Sequence, residues 1–166
     1  MGVSLDTARF ANIISKKLFV GTKFIHALVI GSHGETMLPM PSFTTVRSKE
    51  LTSLLSPSEI ADLVERTKKR GAEIVSLYGL GSAYYGPSAS IYEIVHTILT
   101  SSQKEIPVCA VLEGEYGLID VSIGVPAVIG SMGIKKIIEL NLSPGEKEAF
   151  DKSAESIKDS IKALNI

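Results

Sequence analysis

Three apolar segments in the second half of the chain constrain its fold more than any other feature. They span residues 106–113, 121–130 and 135–140, and the turns that separate them are short and contain glycine. A short turn can join antiparallel neighbours, whereas parallel strands need a crossover of about a dozen residues or more. The segments therefore predict an antiparallel meander.

Helical patterns flank the predicted meander. Apolar residues recur at spacings of three and four over residues 5–19, which predicts an amphipathic helix. Ser56 and Ser143 are each followed by proline and then, three residues after the serine, by glutamate, and this combination is typical of a helix start. It predicts one helix from Ser56 to about Tyr78 and a final helix after Ser143. A further helix is predicted to follow Gly86 and its neighbouring proline.

The final helix is expected to bury a single apolar stripe against the sheet. The residues of this stripe are Phe150, Ala154, Ile157, Ile161 and Leu164. These patterns together predict an α+β fold in which an antiparallel sheet meander is packed with long helices.

Composition excludes several classes of function. The formal net charge is −1, and no run of lysine or arginine is long enough to follow a phosphate backbone, so we expect no nucleic acid partner. Glycine, proline or serine interrupts each apolar stretch before the roughly 20 residues that a membrane helix requires. No secretory signal is visible at the N-terminus, which makes a cytoplasmic location the expectation. Cys109 is the only cysteine, and we expect it to be buried and inert.

The mean hydropathy of +0.25 is high for a domain of this size. We therefore expect part of the apolar surface to be covered by a partner.

A histidine lies in a turn where it is open to approach. Residues 24–30 predict a short buried strand that ends at Gly31, and His33 follows it beside Gly34. Residues 37–46, which contain two prolines, are expected to form an extended loop or an edge strand. An exposed imidazole titrates near neutral pH, so His33 is the best candidate for an acid or a base. The alternative is a histidine that only caps the turn.

Asp6 and Arg9 lie three residues apart in the first predicted helix, so their side chains project from one face. They could form a surface ion pair worth at most about 1 kcal/mol. Together with His33 they would instead supply an orienting carboxylate, a bidentate guanidinium and a base. These are three components that the oxidation of a hydroxyacid needs.

Two segments carry a family resemblance. LDTARF (residues 5–10) and VIGSHGETMLP (residues 29–39) resemble the paired signatures of the malate/lactate dehydrogenases, in sequence and in spacing. The resemblance continues through residues 81–87, 112–117 and 121–130 and through the terminal helix. It implies that residues 1–166 form the C-terminal substrate-binding and catalytic domain of such an enzyme.

The resemblance also implies a role for each site residue. His33 matches the catalytic base, Asp6 the carboxylate that orients it, and Arg9 the guanidinium that binds the substrate carboxylate. Ala83 matches a position where lactate enzymes often carry threonine and malate enzymes a smaller residue, which favours malate. Pro87 is expected to line the pocket on the cofactor side. Glu35, where the family usually has aspartate, is the one departure.

The resemblance implies NAD or NADP as the cofactor, bound mainly by an N-terminal dinucleotide-binding domain. The Gly-x-Gly-x-x-Gly turn of such a domain is absent from this sequence. We therefore expect a partner domain, no turnover by this chain alone, a small 2-hydroxy or 2-oxo acid as substrate, and a homo-oligomer. Malate is the expected substrate and lactate the alternative. A non-catalytic oligomerisation module is the alternative from another class.

Overall fold

The computed structural model describes residues 1–164. Within that range the helices are α1 (Gly2–Leu18), α2 (Leu51–Leu54), α3 (Pro57–Tyr78), α4 (Tyr85–Thr100) and α5 (Pro144–Ala163). The strands are β1 (Ile25–His26), β2 (Val29–Gly31), β3 (Met37–Pro39), β4 (Thr45–Val46), β5 (Lys49–Glu50), β6 (Lys104–Glu113), β7 (Ile119–Gly130) and β8 (Gly133–Ile137). The predicted α+β fold class is confirmed.

The long strand β7 organises the main sheet. One edge of β7 pairs with β6, and the other edge pairs with β2 and with β8, while β3 extends the sheet beyond β2. Each of these pairs is antiparallel. The predicted meander is confirmed, although its last strand ends at Ile137 rather than residue 140. After Ile137 the chain leaves the sheet and contacts Tyr116 instead. The Tyr116 hydroxyl donates to the carbonyl of Ile138 at 2.7 Å and accepts from the N–H of Leu140 at 3.0 Å.

The predicted strand over residues 24–30 is divided between two sheets. Its first part, β1, pairs with β4 in a small three-stranded sheet that also contains β5. Its second part, β2, pairs with β3 and β7 in the main sheet. Residues 37–46, expected to form a loop or an edge strand, contain β3, a turn of 3₁₀ helix and β4. The prediction of a buried strand is therefore correct only for Val29–Gly31.

Both predicted helix starts carry complete capping boxes. Ser56 and Ser143 each accept the N–H of the glutamate three residues ahead, and that glutamate accepts the serine N–H in return. This satisfies amide groups that the first turn of a helix otherwise leaves free. Helices α3 and α5 begin at Pro57 and Pro144 as the sequence predicted.

The apolar stripe of α5 is buried only along its first half. Phe150 and Ala154 are buried and Ile157 packs partly against the core, but Ile161 and Leu164 are 43% and 67% exposed. The prediction was wrong for these last two residues. They line an open hollow beside residues 32–36 instead of contacting the sheet, because α5 continues past the strands that it covers.

Core residues lie on both faces of the main sheet. Val29 packs with residues of α1 and α3, whereas its neighbour Ile30 packs with residues of α5. This difference arises because successive side chains of a strand point to opposite faces. The sheet therefore lies between α5 on one side and α1 with α3 on the other.

A glycine lets α1 lie directly on the sheet. A Cβ atom at Gly124 would stand 2.2 Å from Cγ1 of Val3 and 2.5 Å from the carbonyl oxygen of Gly31. No side chain fits at such distances. Gly124 is also the residue of β7 that pairs with Gly31, so the start of α1 is held at the end of β2.

The burial of one residue in β6 differs from the prediction. Cys109, expected to be buried, is exposed, because the buried residues of β6 alternate and residue 109 falls on the other face.

The expected uncovered apolar surface is present on α4 and at the end of α3. Its members include Leu77, Leu80, Tyr85, Tyr92 and Leu99. Among residues 1–164, no helix is both long enough and apolar enough to cross a bilayer.

Candidate active site

The imidazole of His33 contacts the carboxylate of Asp6. Nδ1 of His33 lies 2.6 Å from Oδ2 of Asp6, although 27 residues separate the two along the chain. Asp6 is fully buried in the second turn of α1, whereas the His33 side chain is 54% exposed in the turn after β2. Because Nδ1 is engaged by Asp6, Nε2 is the nitrogen left to meet a ligand.

Arg9 engages the other oxygen of the same carboxylate. Its Nη1 lies 3.3 Å from Oδ1 of Asp6, and its side chain is only 11% exposed. Its Nε is buried and has no hydrogen-bond partner among the described residues. A buried guanidinium N–H without an acceptor is costly, so this donor is suited to an anion that enters from outside. The structure thus brings together the three residues that the sequence singled out.

Contacts between α1, β2 and α5 fix the two elements that carry this cluster, which are helix α1 and the turn after β2. The hydroxyl of Thr7 accepts the N–H of Val29 at 3.0 Å, which ties α1 to β2. The His33 ring rests on Gly2, where an added Cβ would lie 2.8 Å from Cβ of His33. On the far side of the turn, Oγ of Ser153 in α5 accepts the N–H of Ser32 at 2.9 Å.

The hydrogen bond that His33 donates to the Asp6 carboxylate raises the pKa of His33 above its ordinary value of 6.5. Partial burial of the ring and the positive charge of Arg9 lower it, and the negative charge of Asp6 adds to the increase. The proximity of the carboxylate outweighs the opposing effects. The imidazole therefore holds a proton more readily than a free histidine does.

Stability should depend on pH through this pair. Since the pKa of His33 is raised in the folded state, its stabilising contribution is complete below pH 6.5 and is lost as the pH rises through the folded value. With the ring more than half exposed, we expect an effect of at most about 1 kcal/mol. Urea unfolding between about pH 6 and about pH 9 should show the advantage of the native chain over His33→Asn shrinking.

Asp6→Asn provides the control for this measurement, because it removes the carboxylate that raises the pKa of His33. In that background burial, Arg9 and the amino terminus still lower the pKa of His33, so the advantage over His33→Asn should no longer shrink as the pH rises. A native chain whose advantage over His33→Asn stays constant across the range would contradict the expectation.

Two cavities meet at Arg9. The first, of about 450 Å³, is bounded by α1, the His33 turn and α3, and its walls include Arg9, His33, Glu35, Met37 and Lys68. The second, of about 410 Å³, lies between α1, α3 and the start of α4, and Arg9, Ala83 and Pro87 line it. The structure therefore brings Ala83 and Pro87 to Arg9, on a different cavity from His33.

Sequence reasoning missed three residues that shape the cluster. Ser153 lies 121 residues from Ser32, and nothing in the local pattern of α5 marks it. Gly2 precedes the first recognisable motif, and Lys68 lies in a charged run that resembles an ordinary solvated helix face. The glycines at positions 31 and 34, which adopt φ angles of +86° and +117°, were the local signals for the shape of the turn.

A family model described as lactate/malate dehydrogenase, alpha/beta C-terminal domain, matches residues 3–165. The chain belongs to this family. The malate dehydrogenase of Bacillus mycoides is 45% identical over 160 residues, which are 96% of this chain and 51% of that protein. The malate dehydrogenase of Shouchella clausii is 44% identical over the same shares. The chain thus spans about half the length of these relatives.

Solved structures of the family share the fold. The malate dehydrogenase from Aeropyrum pernix superposes with a TM-score of 0.95 at 40% identity, covering 98% of this chain and 54% of that one. A lactate dehydrogenase from Eimeria maxima, solved with NADH and oxamate, has a TM-score of 0.95 at 31% identity and covers 99% of this chain and 51% of that one. The predicted lactate/malate dehydrogenase C-terminal fold is confirmed.

Proposed function

We propose that this chain is the substrate-binding and proton-transferring domain of an NAD(P)-dependent malate dehydrogenase, which oxidises malate to oxaloacetate. The observation that carries the proposal is the shared carboxylate of Asp6, bound on one oxygen by His33 and on the other by Arg9. It joins a group that can accept a proton to a group that can bind an anion, at the rim of one cavity.

The imidazole of His33 moves the proton. When malate is oxidised, the bond between C2 and its hydrogen breaks and the 2-hydroxyl becomes a carbonyl, so the hydroxyl proton must leave. Neutral His33 accepts it at Nε2 and becomes imidazolium. The buried carboxylate of Asp6, 2.6 Å from Nδ1, holds the ring in the correct tautomer and stabilises the new positive charge.

Arg9 binds the carboxylate next to the reacting carbon. Asp6 occupies only Nη1, and the buried Nε has no partner in residues 1–164. A planar guanidinium can bind a carboxylate through two parallel hydrogen bonds, which fixes its orientation as well as its position. Held this way, the 2-hydroxyl of the substrate would face His33 across the cavity that both residues line.

Malate is favoured over lactate as the substrate. The relatives that are 44% and 45% identical are named malate dehydrogenases. Ala83 leaves room beside Arg9 where lactate enzymes often carry threonine. Lactate dehydrogenase is the alternative, since the lactate enzyme from Eimeria maxima shares the fold at 31% identity.

A bound nicotinamide would supply the acceptor for the hydride that leaves C2. This chain offers Pro87, half-buried beside Ala83, as a wall for it, but its sequence contains no glycine-rich turn to hold the dinucleotide phosphates. The residues present therefore fit one side of the reacting ring and not the rest of the cofactor. We propose that residues 1–166 work with a dinucleotide-binding domain like that expected in the other half of the relatives.

A chimera tests this proposal. We expect this chain, joined to the N-terminal half of the Bacillus mycoides relative, to reduce NAD or NADP in the presence of malate, whereas the chain alone should show no turnover because it lacks a hydride acceptor. Absorbance of the reduced nicotinamide is the measurement. Turnover by the purified chain alone, or a folded chimera that is inactive with both malate and lactate, would count against the proposal.

The exposed apolar surface on α4 and at the end of α3 supports a second candidate, an assembly module. Leu77, Leu80, Tyr85, Tyr92 and Leu99 are large apolar or aromatic residues left open to solvent, and an interface with a partner would cover them. A stable oligomer in solution, combined with no affinity for malate or oxaloacetate in the chimera, would favour assembly over catalysis. Oligomer formation together with turnover would be consistent with the dehydrogenase, which we also expect to be a homo-oligomer.

A further inference from the structure

Helix α5 contacts the turn that carries His33. Ser153, 1% exposed, lies on the buried face of α5, and its Oγ accepts the N–H of Ser32, the residue before His33, at 2.9 Å. The same Oγ lies 3.4 Å from Oγ1 of Thr36, and the hydroxyls of Ser32 and Thr36 are hydrogen-bonded to each other. One buried hydroxyl therefore contacts the turn on both sides of His33.

The turn is closed by the pairing of Gly31 with Met37, and the N–H of Met37 donates to the carbonyl of Gly34 at 3.2 Å, but neither contact involves Ser32 or His33. Gly31 and Gly34 flank Ser32 and His33 with φ angles of +86° and +117°, a region that side chains other than glycine rarely adopt. Glycine has the greatest backbone freedom, so two such residues around a histidine allow several turn conformations. A Cβ at Gly31 would lie 2.9 Å from Oγ of Ser153, so the serine lies directly against the residue where the turn begins.

We infer that Ser153 is a positioning residue for His33, whose hydroxyl holds the turn in the one conformation that brings the imidazole to Asp6. The consequence for catalysis rests on the proposed function, while the positioning itself does not. Without the hydroxyl, the N–H of Ser32 would have no acceptor in the native conformation, and the turn would move to find another. Such movement would separate Nδ1 of His33 from a carboxylate that is fixed in α1.

The pKa of His33 reports on this positioning in the chain as it stands. Because the hydrogen bond to Asp6 is the main cause of the raised value, the pKa of His33 should fall toward 6.5 when the turn is released. Arg9 and the amino terminus also act on it. Glu35, Lys68, Lys69 and Glu65 share its cavity and, like Arg9, are unchanged in the variants below.

The experiment is an NMR titration of the His33 ring in Ser153→Ala, with Ser156→Ala as the matched control. Ser156 is exposed on the same helix and lines the hollow beside His33 without bonding to the turn. We expect the pKa of His33 to fall in Ser153→Ala and to stay at the native value in Ser156→Ala. Ser153→Cys, which keeps the shape but is a weaker acceptor, should give an intermediate value.

A folded Ser153→Ala chain with the native His33 pKa would overturn the inference. If Ser153→Ala does not fold, Ser153→Cys decides in the same way, since an unchanged pKa in that variant would also overturn it. In the chimera, Ser153→Ala should lower kcat between about tenfold and a hundredfold with little change in KM, because a displaced base affects the reaction more than binding.

The two proposals fail in different ways. If the native chimera oxidises no hydroxyacid, the proposed function fails, while the titration still decides whether Ser153 positions His33. If the native chimera is active and Ser153→Ala has both the native His33 pKa and the native kcat, the positioning inference fails and the proposed function stands.

Discussion

Replacing His33 with asparagine in the chimera should lower kcat for malate oxidation by about 10²–10⁴-fold, the range by which a positioned acid or base accelerates a reaction. Asparagine can still donate a hydrogen bond to Asp6, but it cannot accept the proton of the 2-hydroxyl at neutral pH. KM should change much less, since Arg9 is intact. Steady-state kinetics at saturating malate give the measurement.

His26→Asn is the matched control, because His26 is exposed in β1, outside the cluster. This variant should keep native kinetics. A His33→Asn chimera that is folded and retains more than about a tenth of the native kcat would show that His33 is not the base.

Replacing Arg9 with lysine should chiefly weaken substrate binding. Lysine keeps the charge but loses the planar pair of N–H donors, and hydrogen bonds to charged groups contribute about 1.5–3 kcal/mol each. We expect KM for malate to rise by between about tenfold and a hundredfold, since every 1.4 kcal/mol corresponds to a factor of ten. The fall in kcat should be smaller.

Arg66→Lys serves as the comparison for Arg9→Lys. Arg66 lies on the surface of α3, where its side chain is 55% exposed and 3.9 Å from Asp62. The exchange there should leave KM unchanged, because an exposed pair of this kind contributes little. Equal KM values for native, Arg9→Lys and Arg66→Lys chimeras would remove Arg9 from the binding site.

Local signals in the sequence were sufficient for the elements that carry the site. The capping boxes at Ser56 and Ser143 located two helix starts to the residue, because a cap is built from side chains within four positions of each other. The spacing of Asp6 and Arg9 placed both on one helix face for the same reason. The two motif segments also identified the family correctly.

Local signals failed where packing in three dimensions decides how a segment pairs or which of its side chains are buried. Residues 24–30 read as one strand, yet the chain passes from the small sheet to the main sheet between β1 and β2. Cys109 was expected to be buried because its neighbours are apolar, although the alternation of β6 turns it outward. Ile161 and Leu164 continue an apolar stripe in the sequence after the surface that could cover it has ended.

The sequence by itself determined the long helices, the antiparallel meander, the fold class and the identity of three side chains suited to acid–base and anion chemistry. Tertiary structure alone decided that Asp6 contacts His33 as well as Arg9, that Ala83 and Pro87 share a cavity with Arg9 but not with His33, and that Ser153 binds the turn from 121 residues away. The reason is physical: caps and periodicities depend on neighbours along the chain, whereas these contacts exist only after α1 has packed onto Gly124 and α5 onto the opposite face of the sheet.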